Sequence, residues 1–184
     1  MRKSWLIPLM LSSCGAKKAP EPVVEPRPFT NPAPRGEIML EQAMTAMHNA
    51  ARASVRQPPL VWDPQLAADA GAHAADLARS GRFEHARQPR GAAVQGENLW
   101  AGTRGGYRYD EMAQHWIDEA RVFVNRAAPA FSTTGDYRDA GHYAQIVWSG
   151  TRRFGCATAV GAQHEYLVCR YAPAGNVVGE RAIP

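Results

Sequence analysis

The side chains with the most chemistry to offer are a histidine and a carboxylate, each carried on an apolar stretch. His142 opens Gly141-His142-Tyr143-Ala144-Gln145-Ile146-Val147-Trp148, which closes in a Ser149-Gly150 turn. With a period of two, His142 shares a face with Ala144, Ile146 and Trp148. With a period of 3.6 it stacks on Ile146, and the stretch is too short to choose between them. Either element must be largely buried, so His142 taken alone is expected to be a satisfied core histidine. Glu119 is more demanding. Met112, Trp116, Glu119 and Phe123 lie at i, i+4, i+7 and i+11 of a helix predicted from about Tyr109 to Phe123. A carboxylate on that stripe needs a partner, a metal-bound water or a raised pKa, and a nearby arginine is the structural alternative.

The elements that must position these groups can be read in order. Leu40, Met44, Met47, Ala51 and Val55 give a first helix from about Glu37 to Val55, stopped by Gln57-Pro58-Pro59. Asp63-Pro64 caps a second helix with the buried stripe Leu66, Ala70, His73, Leu77, and Gly81 ends it. His48 and His73 are expected to be packing or hydrogen-bonded helix histidines. Residues 82–108 are rich in turn formers and carry His85 and Glu97; residues 124–140 read as an irregular loop. Phe154–Val160 and Glu165–Tyr171 have strand character and flank Gly161-Ala162-Gln163-His164. Closing that hairpin sets Cys156 opposite Cys169, at a spacing a disulfide accepts in an oxidising compartment.

The chain has 184 residues, enough for one domain with a real core plus a tail. Its formal charge of +4 comes wholly from residues 1–35, where Arg2, Lys3, Lys17, Lys18, Arg27 and Arg35 face only Glu21 and Glu25. The rest is neutral and mixed, with no basic stripe to track phosphates, so no nucleic-acid partner is expected. Residues 1–14 read as a targeting segment, with Arg2-Lys3 before a short apolar run. Leu11-Ser12-Ser13-Cys14 resembles a bacterial lipobox, which makes Cys14 the expected lipidation site and leaves the odd cysteine accounted for. Membrane attachment is expected through that lipid only, because the apolar run is too short to span a bilayer. Residues 15–35 hold six prolines and form a semi-rigid linker of about 60 Å at about 3.1 Å per residue. The folded domain is expected over residues 36–184.

Four ordered motifs resemble the CAP superfamily, which comprises cysteine-rich secretory proteins, venom allergens and plant pathogenesis-related proteins. They are His48-Asn49 and Arg52 followed by Pro59-Leu60-Val61-Trp62-Asp63, then Gly96-Glu97-Asn98-Leu99-Trp100, the stretch from Gly141 to Trp148, and Tyr166-Leu167-Val168-Cys169-Arg170-Tyr171-Ala172-Pro173-Ala174-Gly175-Asn176. Ala144 departs from the family, which usually has Thr there. The resemblance implies an α+β domain, a three-layer α-β-α sandwich around a small, mostly antiparallel sheet. It also implies a cleft tetrad of His85, Glu97, Glu119 and His142, with His85 and His142 able to hold zinc or another divalent metal.

For function the resemblance implies a binding module for a lipid, sterol or peptide. Export is expected from the leader, and Gly15-Ala16, without the Asp that retains bacterial lipoproteins at the inner membrane, favours the outer membrane, with the cell envelope or the outside of the cell as the other places. Two other readings stay open: a metal-dependent peptidase or esterase, and a structural or host-interaction surface protein. Catalysis is the weaker expectation. The chain has no HExxH, since Val168 takes the last position after His164-Glu165, and no GxSxG.

Overall fold

The computed structural model describes Arg27, residues 31–88 and residues 94–184. The targeting segment 1–14, its Cys14 and most of the linker lie outside the described residues.

The chain order is α1 (Glu37–Ser54), β1 (Val61–Trp62), α2 (Pro64–Ser80), β2 (Gly96–Thr103), α3 (Tyr109–Ile117), a 3-10 turn (Asp118–Arg121), a second 3-10 turn (Tyr137–Asp139), α4 (Gly141–Ile146), β3 (Arg153–Val160) and β4 (His164–Ala172). The four strands form one sheet in the order β1-β3-β4-β2, antiparallel except for the β1–β3 pair. β4 is the longest strand and lies between β3 and β2, buried on both faces from Glu165 to Tyr171. The hairpin register is the one read from the sequence. Cys156 faces Cys169 across it, and the two form a disulfide with Cα atoms 4.1 Å apart.

Strand alternation sorts the core into two layers. Leu99, Ala101, Tyr166 and Val168 pack with Ala70, Ala74 and Leu77 of α2 on one face. Trp100, Phe154, Cys156, Leu167, Cys169 and Tyr171 pack on the other face with Met44 of α1, Trp116 of α3 and Ile146 of α4. This is the expected three-layer α-β-α sandwich. Asp63 caps α2 by accepting from the amides of Gln65 (2.8 Å) and Leu66 (3.2 Å), and Gly81 ends it at φ 69°. Gly155 is what lets α2 lie so close: a Cβ there would come within 2.3 Å of the Ala67 amide nitrogen.

Three local expectations are corrected. The buried stripe of α2 uses Ala74 where the sequence reading used His73, which is partly exposed. The third helix is α-helical only to Ile117 and tightens into a 3-10 turn at Asp118, which swings Glu119 off the apolar stripe. Residues 96–103, read only as part of a turn-rich segment, form edge strand β2.

Arg52 locks the α1 face to the site-bearing segment. Fully buried, it donates to the carbonyls of Pro58 (2.6 Å), Ile146 (2.9 Å) and Trp148 (2.9 Å). Burial, with Arg152 nearby, lowers its pKa to about 10, so it stays charged at neutral pH. The residues before α1 are tied down as well. The Arg35 guanidinium donates to both oxygens of buried Glu165 (2.6 and 2.5 Å) and to the Tyr107 carbonyl (2.9 Å). The Ala33 amide donates to the Gly105 carbonyl at 2.9 Å.

Candidate functional site

The structure gathers the four expected residues as two imidazole–carboxylate pairs. His85, on the loop after α2, places Nδ1 2.7 Å from Oε1 of Glu97, the second residue of β2. The Ala86 amide donates to the same oxygen at 3.0 Å. His142, on α4, places Nδ1 2.5 Å from Oε1 of Glu119. The other Glu119 oxygen accepts from the amides of His142 (2.9 Å) and Tyr143 (3.0 Å), so this carboxylate holds the first turn of α4 as well as the ring. The arginine alternative for Glu119 is thereby replaced by His142 and two backbone donors.

Tautomer follows from partner. An ionised carboxylate only accepts, so each Nδ1 carries the proton, and in the neutral ring each Nε2 keeps its lone pair. Neither Nε2 makes a hydrogen bond among the described residues. His142 is further held by Trp116, stacked 5.8 Å away at 21°. Its ring is 27 % exposed, not largely buried as its apolar surroundings suggested, and that of His85 is 56 % exposed.

The electrostatics of the two pairs differ. Burial alone would raise the Glu97 carboxyl, but the His85 ring, the Arg170 guanidinium and the Ala86 amide together hold it below its ordinary range. Arg170 stands directly opposite Glu97 on β4, with Nη2 2.9 Å from Oε2, an ion pair without hydrogen-bond alignment. His73 adds a third neighbour, with Nε2 3.8 Å from Oε2 and 3.0 Å from the Glu84 carbonyl. His73 and Arg170 are site neighbours that the sequence reading missed. For His73 the available signal was its spacing from Asp69 and Asp76 along one face of α2; the pairing of Arg170 with Glu97 depends on the register of β2, which the sequence does not show.

The alternation of β2 sends Glu97 to the α2 side of the sheet and Asn98 to the other side, where its amide donates to the His142 carbonyl (3.1 Å) and to the Tyr171 hydroxyl (3.1 Å). The two pairs therefore approach from opposite faces and can share one ligand only around the free edge of β2. Among the described residues no group of three or more His, Cys, Asp or Glu is placed to hold a metal. The donor chemistry nevertheless fits a two-histidine site. Each Nε2 is available, and each Nδ1–H is held by a carboxylate, the outer-shell pattern that fixes metal-binding imidazoles. A bound divalent ion would supply a Lewis-acid centre with open positions.

His48 behaves as expected of a core residue. It lies between the Met44 carbonyl (2.8 Å at Nδ1) and the Tyr171 hydroxyl (2.8 Å at Nε2), and burial lowers its pKa to about 4.

The sequence model described as "Cysteine-rich secretory protein family" matches residues 45–171. Pathogenesis-related protein 1C of Nicotiana tabacum is 34 % identical over 134 residues, covering 72 % of this chain and 74 % of its own. Venom allergen 3 of Solenopsis invicta is 36 % identical over 137 residues, covering 68 % and 56 %. Among solved structures, NaASP2 with Zn2+ superposes with a TM-score of 0.66 at 25 % identity, over 82 % of this chain and 89 % of that one.

Proposed function

The chain belongs to the cysteine-rich secretory protein family, and on that premise we propose that it is an exported binding module whose cleft holds a divalent metal, zinc first, between His85 and His142. The ligand class is a lipid, a sterol or a peptide. The observation that carries the reading is the matched pair of Nδ1–H···carboxylate contacts, which leaves one imidazole nitrogen of each histidine free to coordinate. That NaASP2 has been crystallised with Zn2+ supports the choice of ion.

Hydrolysis is disfavoured by what the carboxylates already do. A general base needs an oxygen free to take a proton from water. Glu119 is committed to the His142 ring and two amides, and Glu97 to the His85 ring, the Ala86 amide and the Arg170 cation. Export and anchoring rest on residues 1–14 and lipidation of Cys14. No helix among the described residues is long and apolar enough to cross a membrane.

Calorimetric titration of the intact chain with zinc tests the metal. Saturable binding is expected, lost in both His85→Ala and His142→Ala. Unchanged heats in the double variant would remove the metal from the site. Cys14→Ser should abolish detergent partitioning; unaltered partitioning rejects the anchor.

A further inference from the structure

The residues before α1 do more than lead into a helix. They close the Pro-rich linker, and Pro26, Pro28, Pro32 and Pro34 leave that stretch few amides with which to join a sheet edge. Side chains hold it instead, at two seats. The inner seat is Arg35. Its guanidinium donates to both oxygens of Glu165, a carboxylate 1 % exposed, and to the Tyr107 carbonyl, and it lies 5.1 Å from the centre of the Tyr109 ring. It also donates to the carbonyls of Ala33 (3.1 Å) and Pro34 (2.9 Å), which folds its own chain against the domain. The amides of Ala33 and Gly36 add bonds to the Gly105 carbonyl (2.9 Å) and the Tyr109 hydroxyl (3.3 Å).

The outer seat is Arg27. Its guanidinium lies 5.1 Å from the centre of the Tyr107 ring and donates to Oε1 of Glu111 at 2.7 Å. Trp100 and His115 meet the Tyr107 ring in edge contacts, at 5.2 and 5.6 Å. A planar guanidinium suits a ring face and a carboxylate together, which a lysine ammonium does less well.

Both seats stand at one end of the sheet, and the two imidazoles stand at the other. Gly105 and Tyr107 follow the last residue of β2, and Glu165 pairs with Gly102 near that end. Glu97 is the second residue of β2, and the next residue, Asn98, reaches the His142 carbonyl. From Glu97 to Thr103 is six steps along the strand, about 20 Å at about 3.3 Å each.

We infer that Arg27 and residues 31–36 are a strap docked on this pole, so that the anchored domain presents its cleft away from the membrane that holds it. The inference rests on the Cys14 anchor proposed above. It assigns the source of the cleft's ligand: the space beyond the domain, not the anchoring bilayer. Reach carries the argument. A domain of about 150 residues is about 40 Å across. Arg27 lies thirteen residues after Cys14, which gives about 40 Å of tether at about 3.1 Å per residue. Leaving from the far pole, that tether must be drawn out fully before the cleft can turn onto the bilayer. Freed as far as Gly36 it gains about 30 Å more, and the cleft turns without stretching it.

The test has two arms. In the first, the intact chain is digested with trypsin and the N-terminus of the lasting fragment is sequenced. Trypsin passes over Arg27, which precedes a proline, but cuts after Lys18 and after a free Arg35. A docked strap shields the bond from Arg35 to Gly36, so the fragment should begin at Ala19; a start at Gly36 overturns the strap. Arg27→Ala should speed the cut after Arg35 about twofold to fivefold, the effect of losing an exposed cation–π contact, and an unchanged rate overturns the outer seat. In the second arm, the lipidated chain is placed in phosphatidylcholine vesicles that carry an acceptor-labelled lipid. A donor dye is attached through Gln163→Cys, in the exposed turn at the strap end, or through Arg87→Cys, exposed near His85. Energy transfer should be stronger from position 163 than from position 87, and Arg27→Ala should narrow the difference. Equal transfer, or stronger transfer from position 87, overturns the orientation. A chain that stays out of the vesicles removes the anchor and the orientation with it, and the digest then decides the strap alone.

Discussion

His48 should make the fold sensitive to mild acid. Its Nδ1 faces a carbonyl, so that nitrogen carries the proton, and Nε2 accepts from the Tyr171 hydroxyl. Protonating Nε2 would make it a donor and force the Tyr171 hydroxyl, which already accepts from Asn98, to turn its own proton away within a fully buried site. Burial accordingly lowers the folded-state pKa to about 4, while the unfolded chain titrates near the ordinary value of 6.5. Between those values the unfolded state binds the proton and the folded state does not. Stability from this group is thus fully present above about pH 6.5 and is lost as pH falls towards 4, by up to about 1.4 kcal/mol per pH unit and about 3 kcal/mol in all. The assay is urea unfolding of wild type and His48→Gln at half-unit steps from pH 7.5 to 4.5. The variant should be less stable at pH 7.5 by about 1–3 kcal/mol, because it disturbs the Tyr171 contact. Its stability should then decline less with acid, and the two curves should converge by pH 4.5. The depressed Glu97 carboxyl acts in a lower window, below the ordinary carboxylate range, and so leaves this comparison clean. Parallel curves would refute the argument.

Four further outcomes are expected. Arg35→Ala leaves the buried Glu165 carboxylate without its cation, with the Gly105 amide at 3.2 Å still donating, and should cost about 2–4 kcal/mol in chemical unfolding, with Arg35→Lys recovering only part; no loss would mean that the Gly105 amide and solvent suffice for Glu165. Gly155→Ala should lower the melting temperature by several degrees, since the new Cβ meets α2 backbone that cannot move aside, and an unchanged melt would show α2 to be less tightly seated. Removing the Cys156–Cys169 bridge by double alanine substitution should cost about 2–3 kcal/mol for a loop of this length, measured against the oxidised wild type. Glu119→Gln should lower stability with or without zinc, by about 1–2 kcal/mol, because the α4 amides lose a charged acceptor, and should weaken zinc about 10–100-fold by loosening His142; zinc affinity at the wild-type level would leave Glu119 a structural cap only.

Much of the fold was legible because it is written in local chemistry. Asp63-Pro64 and Gly81 bound α2 in sequence as they do in space, and the Cys156–Cys169 register follows from where the hairpin turns. What stayed hidden depends on tertiary placement. β2 has a near-continuous buried run, Asn98 to Gly102, so it shows no two-residue alternation to the eye. Glu119 looked stranded on an apolar stripe only while α3 was taken to continue; the 3-10 turn at Asp118 re-aims it at α4. His73 was assigned to packing because a helical wheel cannot see the loop that brings Glu84 and His85 over it.

The site also depends on a helix that contributes no group to it. Asn98 has two amide protons, one given to the His142 carbonyl and one to the Tyr171 hydroxyl. That hydroxyl gives its own proton to His48 Nε2, and His48 Nδ1–H goes to the Met44 carbonyl. Each proton in this chain has one destination, so the direction of every bond is fixed from α1 outward. A buried network with every donor assigned resists rearrangement, because reversing one bond orphans the next. The backbone position of His142 is therefore held from two sides: by Glu119 at its amide and by the His48–Tyr171–Asn98 chain at its carbonyl. Acid that protonates His48 reverses the first of these bonds, so His142 should loosen in the same pH window in which the fold weakens. Hydrogen exchange at the α4 amides, followed through that window in wild type and His48→Gln, should show the coupling in the first and its absence in the second.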